Sequence, residues 1–153
     1  MVIAVDFDGT CVTHEFPKVG KDIGAVPVLK ELVEEGHKII LYTMRSHPDK
    51  DNQGKTLSGE VVSNDTLQDA IDWFKKNDIP LLGVNENPKQ KEWTSSPKIY
   101  ANIYIDDAAL GIPLKYGEDG ALSRPYVDWD RVRILLKFKG YVNNATRNKC
   151  RTL

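Results

Sequence analysis

Short continuous apolar runs alternate along the chain with longer stretches whose apolar residues recur every three or four positions. Val2-Ile3-Ala4-Val5, Ile39-Ile40-Leu41-Tyr42, Leu81 to Val84 and Ala101 to Ile105 are runs of the first kind. Uninterrupted apolar strands of this length suit a parallel sheet covered on both faces. Between them, Val26, Leu29, Leu32 and Val33 predict a helix from Ala25 to Glu35, with Pro27 in the first turn and Gly36 just past the end. Leu67, Ala70, Ile71 and Phe74 predict a second helix, capped by Ser63 and closed by Lys75 and Lys76. A last helix begins at Asp128 and packs through Val132, Leu135 and Leu136. Residues 11–22, 46–60 and 85–97 are polar and irregular, the first of them long enough to form a flap.

Strand, helix, strand, helix, strand, strand is the order of an α/β domain, here a three-layer Rossmann-like fold with a mainly parallel sheet. In such sheets ligands sit beyond the carboxyl ends of the strands. Asp6 and Asp8, Thr43 and Arg45, and Asp106 and Asp107 each follow an apolar run, so the fold is expected to bring them together.

Composition narrows the picture. With 153 residues, the chain has room for a single domain, 1–153, burying roughly two thirds of its unfolded surface. Lys and Arg number 21 against 22 Asp and Glu, so bulk charge does not indicate nucleic acid. Residues 137–153 form a basic carboxyl-terminal segment read as a solvated tail. No apolar run approaches the ~20 residues of a membrane span, and the first residues enter a strand without a charged leader. Cys11 and Cys150 have no metal-type spacing, and Cys11 reads as a packing residue, so a cytoplasmic protein with no membrane partner is expected. His14, His37 and His47 lack ligand spacing and read as solvated or loop residues, and Trp73, Trp93 and Trp129 read as packing.

Four carboxylates from two strand ends make a hard-oxygen site suited to Mg²⁺, and a Thr43 hydroxyl with a lysine would complete a phosphate cradle. Asp6-Phe-Asp8-Gly9-Thr10, then Ile39 to Thr43, then a lysine ahead of Ile105-Asp106-Asp107, resemble in order and placement the motifs of the haloacid dehalogenase superfamily of phosphohydrolases. The resemblance covers about residues 1–110. It implies an Asp6 nucleophile, an Asp8 general acid and base, and a Thr43 that binds phosphoryl oxygen. It also implies Mg²⁺ held by Asp6, Asp106 and the backbone carbonyl of Asp8, with Asp107 acting through water or orienting the lysine. Lys98 is the first choice for that lysine, with Lys89 and Lys91 as rivals. Gly9 permits the turn after the strand that would aim the two acids differently and Thr10 holds it, and both are counted with Thr43 and Arg45 on the substrate side. Arg45 is open between gripping a second substrate anion and pairing with a surface carboxylate.

Superfamily members commonly carry an inserted cap domain, and here neither early gap is long enough for one. A capless chain implies an open site, whose phosphorylated substrate is a small molecule or a macromolecule, or a site closed by a second copy of the chain. The expected activity is a Mg²⁺-dependent phosphomonoester hydrolase with an aspartyl-phosphate intermediate. The alternatives are a catalytically idle binding protein of the same fold and a phospho-accepting receiver-like module. Asp-Phe-Asp-Gly-Thr on the first strand speaks against the latter.

Overall fold

The structure is a computed structural model that describes residues 1–48, 58–59, 65–118 and 124–143. Its four apolar runs form β1 (Val2–Val5), β2 (Lys38–Leu41), β3 (Leu81–Val84) and β4 (Ile103–Ile105), all parallel in the order β3-β2-β1-β4. Alternation of side chains across the pleat divides these strands between two faces. Ile3, Val5, Ile39, Leu41 and Ile105 share one core with the buried residues of all three helices, α1 (Ala25–Glu34), α2 (Thr66–Lys76) and α3 (Trp129–Phe138).

Ala4 and Ile40 point the other way and are as deeply buried. The crossover from β3 to β4 holds one 3₁₀ turn, Gln90–Glu92, and the buried Ile99, whose carbonyl accepts a bond from the Tyr104 hydroxyl of β4. The connections from β1 to β2 and β2 to β3 step one way along the sheet and the third steps back. Right-handed crossovers then send the third to the opposite face. The result is a three-layer Rossmann-like fold whose third layer is a wound crossover instead of an α-helix.

Helix ends follow local chemistry. Gly36, at φ +84°, lets the His37 and Gly36 amides reach the Leu32 and Val33 carbonyls, closing α1 in a Schellman arrangement. The cap of α2 is Asp65, whose carboxylate accepts from the Gln68 amide, so the helix starts later than a Ser63 cap implies, and Ser63 itself lies outside the described residues. Val28 takes the buried place in α1 that the pattern assigns to Val26, and Leu135 of α3 is exposed.

Two more strands, β5 (Leu114–Lys115) and β6 (Tyr126–Val127), pair antiparallel in a ribbon that the sequence does not announce. Two residues per strand are too few to show a period. The basic segment proves partly structural. Lys137 belongs to α3, Val142 is buried and the Tyr141 carbonyl bonds the His37 ring, while residues 144–153 lie outside the described part. Among the described residues no helix is long and apolar enough to cross a membrane.

Candidate active site at the strand ends

Ladder hydrogen bonds continue one step past the strands and fix their ends relative to one another. The Asp6 amide bonds the Ile105 carbonyl, the Tyr42 amide bonds Val5, and the Asn85 amide bonds Leu41. The residues that follow β1, β2, β3 and β4 therefore share one rim of the sheet. Between β1 and β4 the strand order changes direction, which is where open α/β sheets form their ligand crevice. Asp6 leaves β1 there, and Asp106 and Asp107 leave β4.

Oxygens of these three carboxylates lie within 4.8 Å of one another. Burial raises Asp6 to about 7 from an ordinary 3.8, and Asp106 and Asp107 push it in the same direction. Burial also raises Asp107, with Asp106 adding to the effect and His14 opposing it. Three carboxylates this close, two of them with raised proton affinity, form a site short of positive charge. A hard divalent cation fits that deficit and this all-oxygen donor set. Among the described residues no other group of three ligating side chains meets in this way.

Thr10 is fully buried and spans the cluster. Its hydroxyl donates to Asp6 Oδ2 at 3.0 Å and accepts from the Asp107 amide at 3.0 Å. It is a strut between the ends of β1 and β4 instead of a substrate contact. Gly9, at φ +78°, turns the chain between Asp8 and the flap, and its amide bonds Val12 at 2.7 Å. A Cβ at Gly9 would lie 2.1 Å from His14 Nε2 and 2.9 Å from Asp107 Oδ2, so the residue also keeps space open beside the acids.

Arg45 resolves the alternatives left open for it. Only 2 % exposed, it donates through Nε and Nη2 to both oxygens of Asp8, each at 2.7 Å. The remaining donors reach the carbonyls of Pro17, Lys18 and Thr66, and the guanidinium lies between the Phe7 and Phe16 rings. With every donor engaged, it grips neither a substrate anion nor a surface carboxylate, but the motif residue Asp8. The Asp8 carboxylate, held by Arg45, is not among the three that meet at the cation cluster. Each Asp8 oxygen accepts one Arg45 bond and keeps a second lone pair that can take a proton.

Thr43 is buried at the end of β2, and Asn85 holds it. The Asn85 amide oxygen accepts from the Thr43 amide at 2.8 Å, and its NH₂ donates to the Thr43 carbonyl at 2.9 Å. Asn85 does this from φ +50°, a left-handed conformation that Asn tolerates better than most residues. Lys98 is exposed and makes no bond to the acid cluster, and Lys91 pairs outward with Glu86 at 3.9 Å.

His14 is the residue whose solvated reading fails. Its Nε2 lies 3.1 Å from Asp107 Oδ2 and 3.2 Å from the Pro125 carbonyl, with the side chain 12 % exposed. His47 does stay exposed, beside Asp65. Cys11 is a packing residue, buried so completely that its thiol is pushed well above the ordinary value. Trp129 packs as expected and adds a bond of 2.6 Å from its indole N–H to the Thr10 carbonyl.

No family model matches the chain, and no curated protein matches it. Its fold is similar to the solved structure of a conserved protein from Bacteroides thetaiotaomicron, at 29% identity and a TM-score of 0.63 over 91% of each chain. That likeness supports the fold and names no activity.

Proposed function

We propose that this chain is a Mg²⁺-dependent phosphomonoester hydrolase of the haloacid dehalogenase type, acting through an aspartyl-phosphate. The observation that carries the reading is the convergence of Asp6, Asp106 and Asp107 within 4.8 Å at the strand switch point. The three carboxylates would hold the cation. When bound, Mg²⁺ supplies charge compensation between an anionic nucleophile and an anionic phosphoryl group.

The chain's own residues account for the rest. Thr10 fixes the rotamer of Asp6 by a hydrogen bond to one oxygen, which leaves the other for in-line attack on phosphorus. The P–O bond to the leaving alcohol breaks as the Asp6–phosphorus bond forms. Thr43, positioned by Asn85, would bind a phosphoryl oxygen. Asp8 would protonate the departing alkoxide and then take a proton from the water that cleaves the acyl-phosphate. Arg45 orients this carboxylate through one bond to each oxygen.

The receiver-like alternative loses ground on topology. In the doubly wound order typical of receivers, β1 lies between β2 and β3. Here it lies between β2 and β4. An idle binding protein keeps one observation in its favour, the closed Asp8–Arg45 pair together with the outward-facing Lys98.

Phosphate release from a panel of phosphomonoesters, with and without Mg²⁺, tests the proposal. We expect turnover that needs the cation and falls by about a thousandfold or more in Asp6→Asn. Activity that survives this substitution would remove Asp6 as nucleophile, and a cation-bound protein that hydrolyses nothing would favour the idle reading.

A further inference from the structure

Beside the acid cluster lies a cavity of ≈ 880 Å³, within the size range of small-molecule sites. The flap forms one wall through Thr13, His14 and Lys21, and the β5–β6 ribbon forms the other through Lys115 and Tyr126, with Arg124 leading into the ribbon. Both walls are anchored to the catalytic loop. The Val127 amide bonds the Gly9 carbonyl at 2.9 Å on the ribbon side, and the Gly9 amide bonds the Val12 carbonyl at 2.7 Å on the flap side. His14 belongs to both places, lining the cavity while its Nε2 sits 3.1 Å from Asp107. A ligand group in the cavity is therefore next to any phosphoryl group held at the strand ends.

The charges of the lining are unevenly committed. Glu15 accepts from the Thr13 hydroxyl and Asp22 accepts from the Gly24 amide, each within its own loop. Glu118 stands at the exposed end of the ribbon. Among the described residues Lys21, Lys115 and Arg124 make no ion pair, although they share the cavity with three acids. Arg124 also acts electrostatically on Asp107, opposing the rise caused by burial. The lining is balanced in charge by Glu15, Asp22 and Glu118, but among the described residues its three cations are free to pair with negative charge that a ligand brings.

The geometry points to a leaving-group subsite between flap and ribbon, which selects phosphomonoesters whose alcohol carries a second anionic group, a carboxylate or another phosphate. The assignment rests on the phosphohydrolase reading for the position of the scissile phosphate. In a chain with no cap domain, the ribbon and flap would take over the selection that a cap performs.

Non-hydrolysable probes separate this inference from turnover. Titration calorimetry of the full chain with Mg²⁺ would compare a short alkyl phosphonate, a phosphonoalkyl carboxylate of the same length and an alkane bisphosphonate. The expected result is binding of one or both doubly anionic probes about tenfold or more tighter than the alkyl phosphonate, the tail preferred showing which anion the subsite takes. Lys115→Ala and Lys21→Ala should remove most of that gain and leave alkyl phosphonate binding within about twofold, while Lys115→Arg keeps it. Equal affinity for all three probes, an equal loss on all three in the alanine variants, or no phosphonate binding at all would overturn the subsite. A protein that prefers the doubly anionic probes but hydrolyses no ester would keep the subsite and lose the hydrolase.

Discussion

At the scale of single residues, Asp6 is the group whose state should be visible in bulk measurements. Its carboxyl titrates near 7 in the folded chain and near 3.8 when exposed, so in between the folded state holds a proton that the unfolded chain has lost. The resulting stabilisation is complete below 3.8 and disappears as pH rises through about 7. In cation-free protein the stability gap between wild type and Asp6→Asn should therefore shift against wild type over that window, by up to a few kcal/mol, on the order of the shift itself. Mg²⁺ at high pH should restore wild type and do little for the variant. Parallel pH profiles of melting temperature for the two proteins would show that Asp6 titrates normally. Asp6, Thr43, Asp106 and Asp107 were legible in the sequence because each follows an apolar run, and strand ends are where such folds gather chemistry. His14 was not, because its place beside Asp107 depends on how the flap folds back, which no periodicity records. The Asp8–Arg45 pair was not legible, since a buried guanidinium with five acceptors depends on carbonyls of the flap and of α2.

Among the elements, the strands and helices were readable to within a residue or two at most ends, as their apolar periods required. The exceptions were set by contacts remote in sequence. The ribbon is held by β-pairing and by its bond to Gly9, and the third layer by the bonds that Gln90 makes to residues 96, 98 and 100. Asn85, read only as the start of an irregular stretch, closes β3 onto β2 through two side-chain bonds to Thr43. Asn85→Ala would lose both bonds and place a less tolerant residue at φ +50°. The expected cost is about 2–3 kcal/mol of stability, measured by denaturant unfolding, with a larger rise in KM for phosphomonoesters than fall in kcat. A kcat loss alone would mean that Thr43 does not hold the phosphoryl group.

For the whole molecule, the flap is joined to the sheet by Arg45. Because that side chain takes the Pro17 and Lys18 carbonyls on one side, Asp8 in the middle and Thr66 on the other, it connects the flap, β1 and the start of α2. Arg45→Lys cannot reproduce the planar five-donor fork and would leave Asp8 poorly paired in a buried setting. We expect it to lower stability by about 3 kcal/mol and to open the flap to faster backbone hydrogen exchange. Exchange at residues 13–22 unchanged by the substitution would show that the flap is held by its own contacts.

Trp129 reaches the same centre from behind. Its indole bonds the Thr10 carbonyl, and the Thr10 hydroxyl touches Asp6 and receives the Asp107 amide. The protein thus has an intrinsic fluorophore two bonds from the acids, shielded from solvent, while Trp93 lies exposed in the outer crossover. Filling the strand-end site should change the emission of the buried indole without any added dye, and Trp129→Phe should abolish that change, which makes cation and phosphate occupancy readable by fluorescence titration of the unlabelled chain.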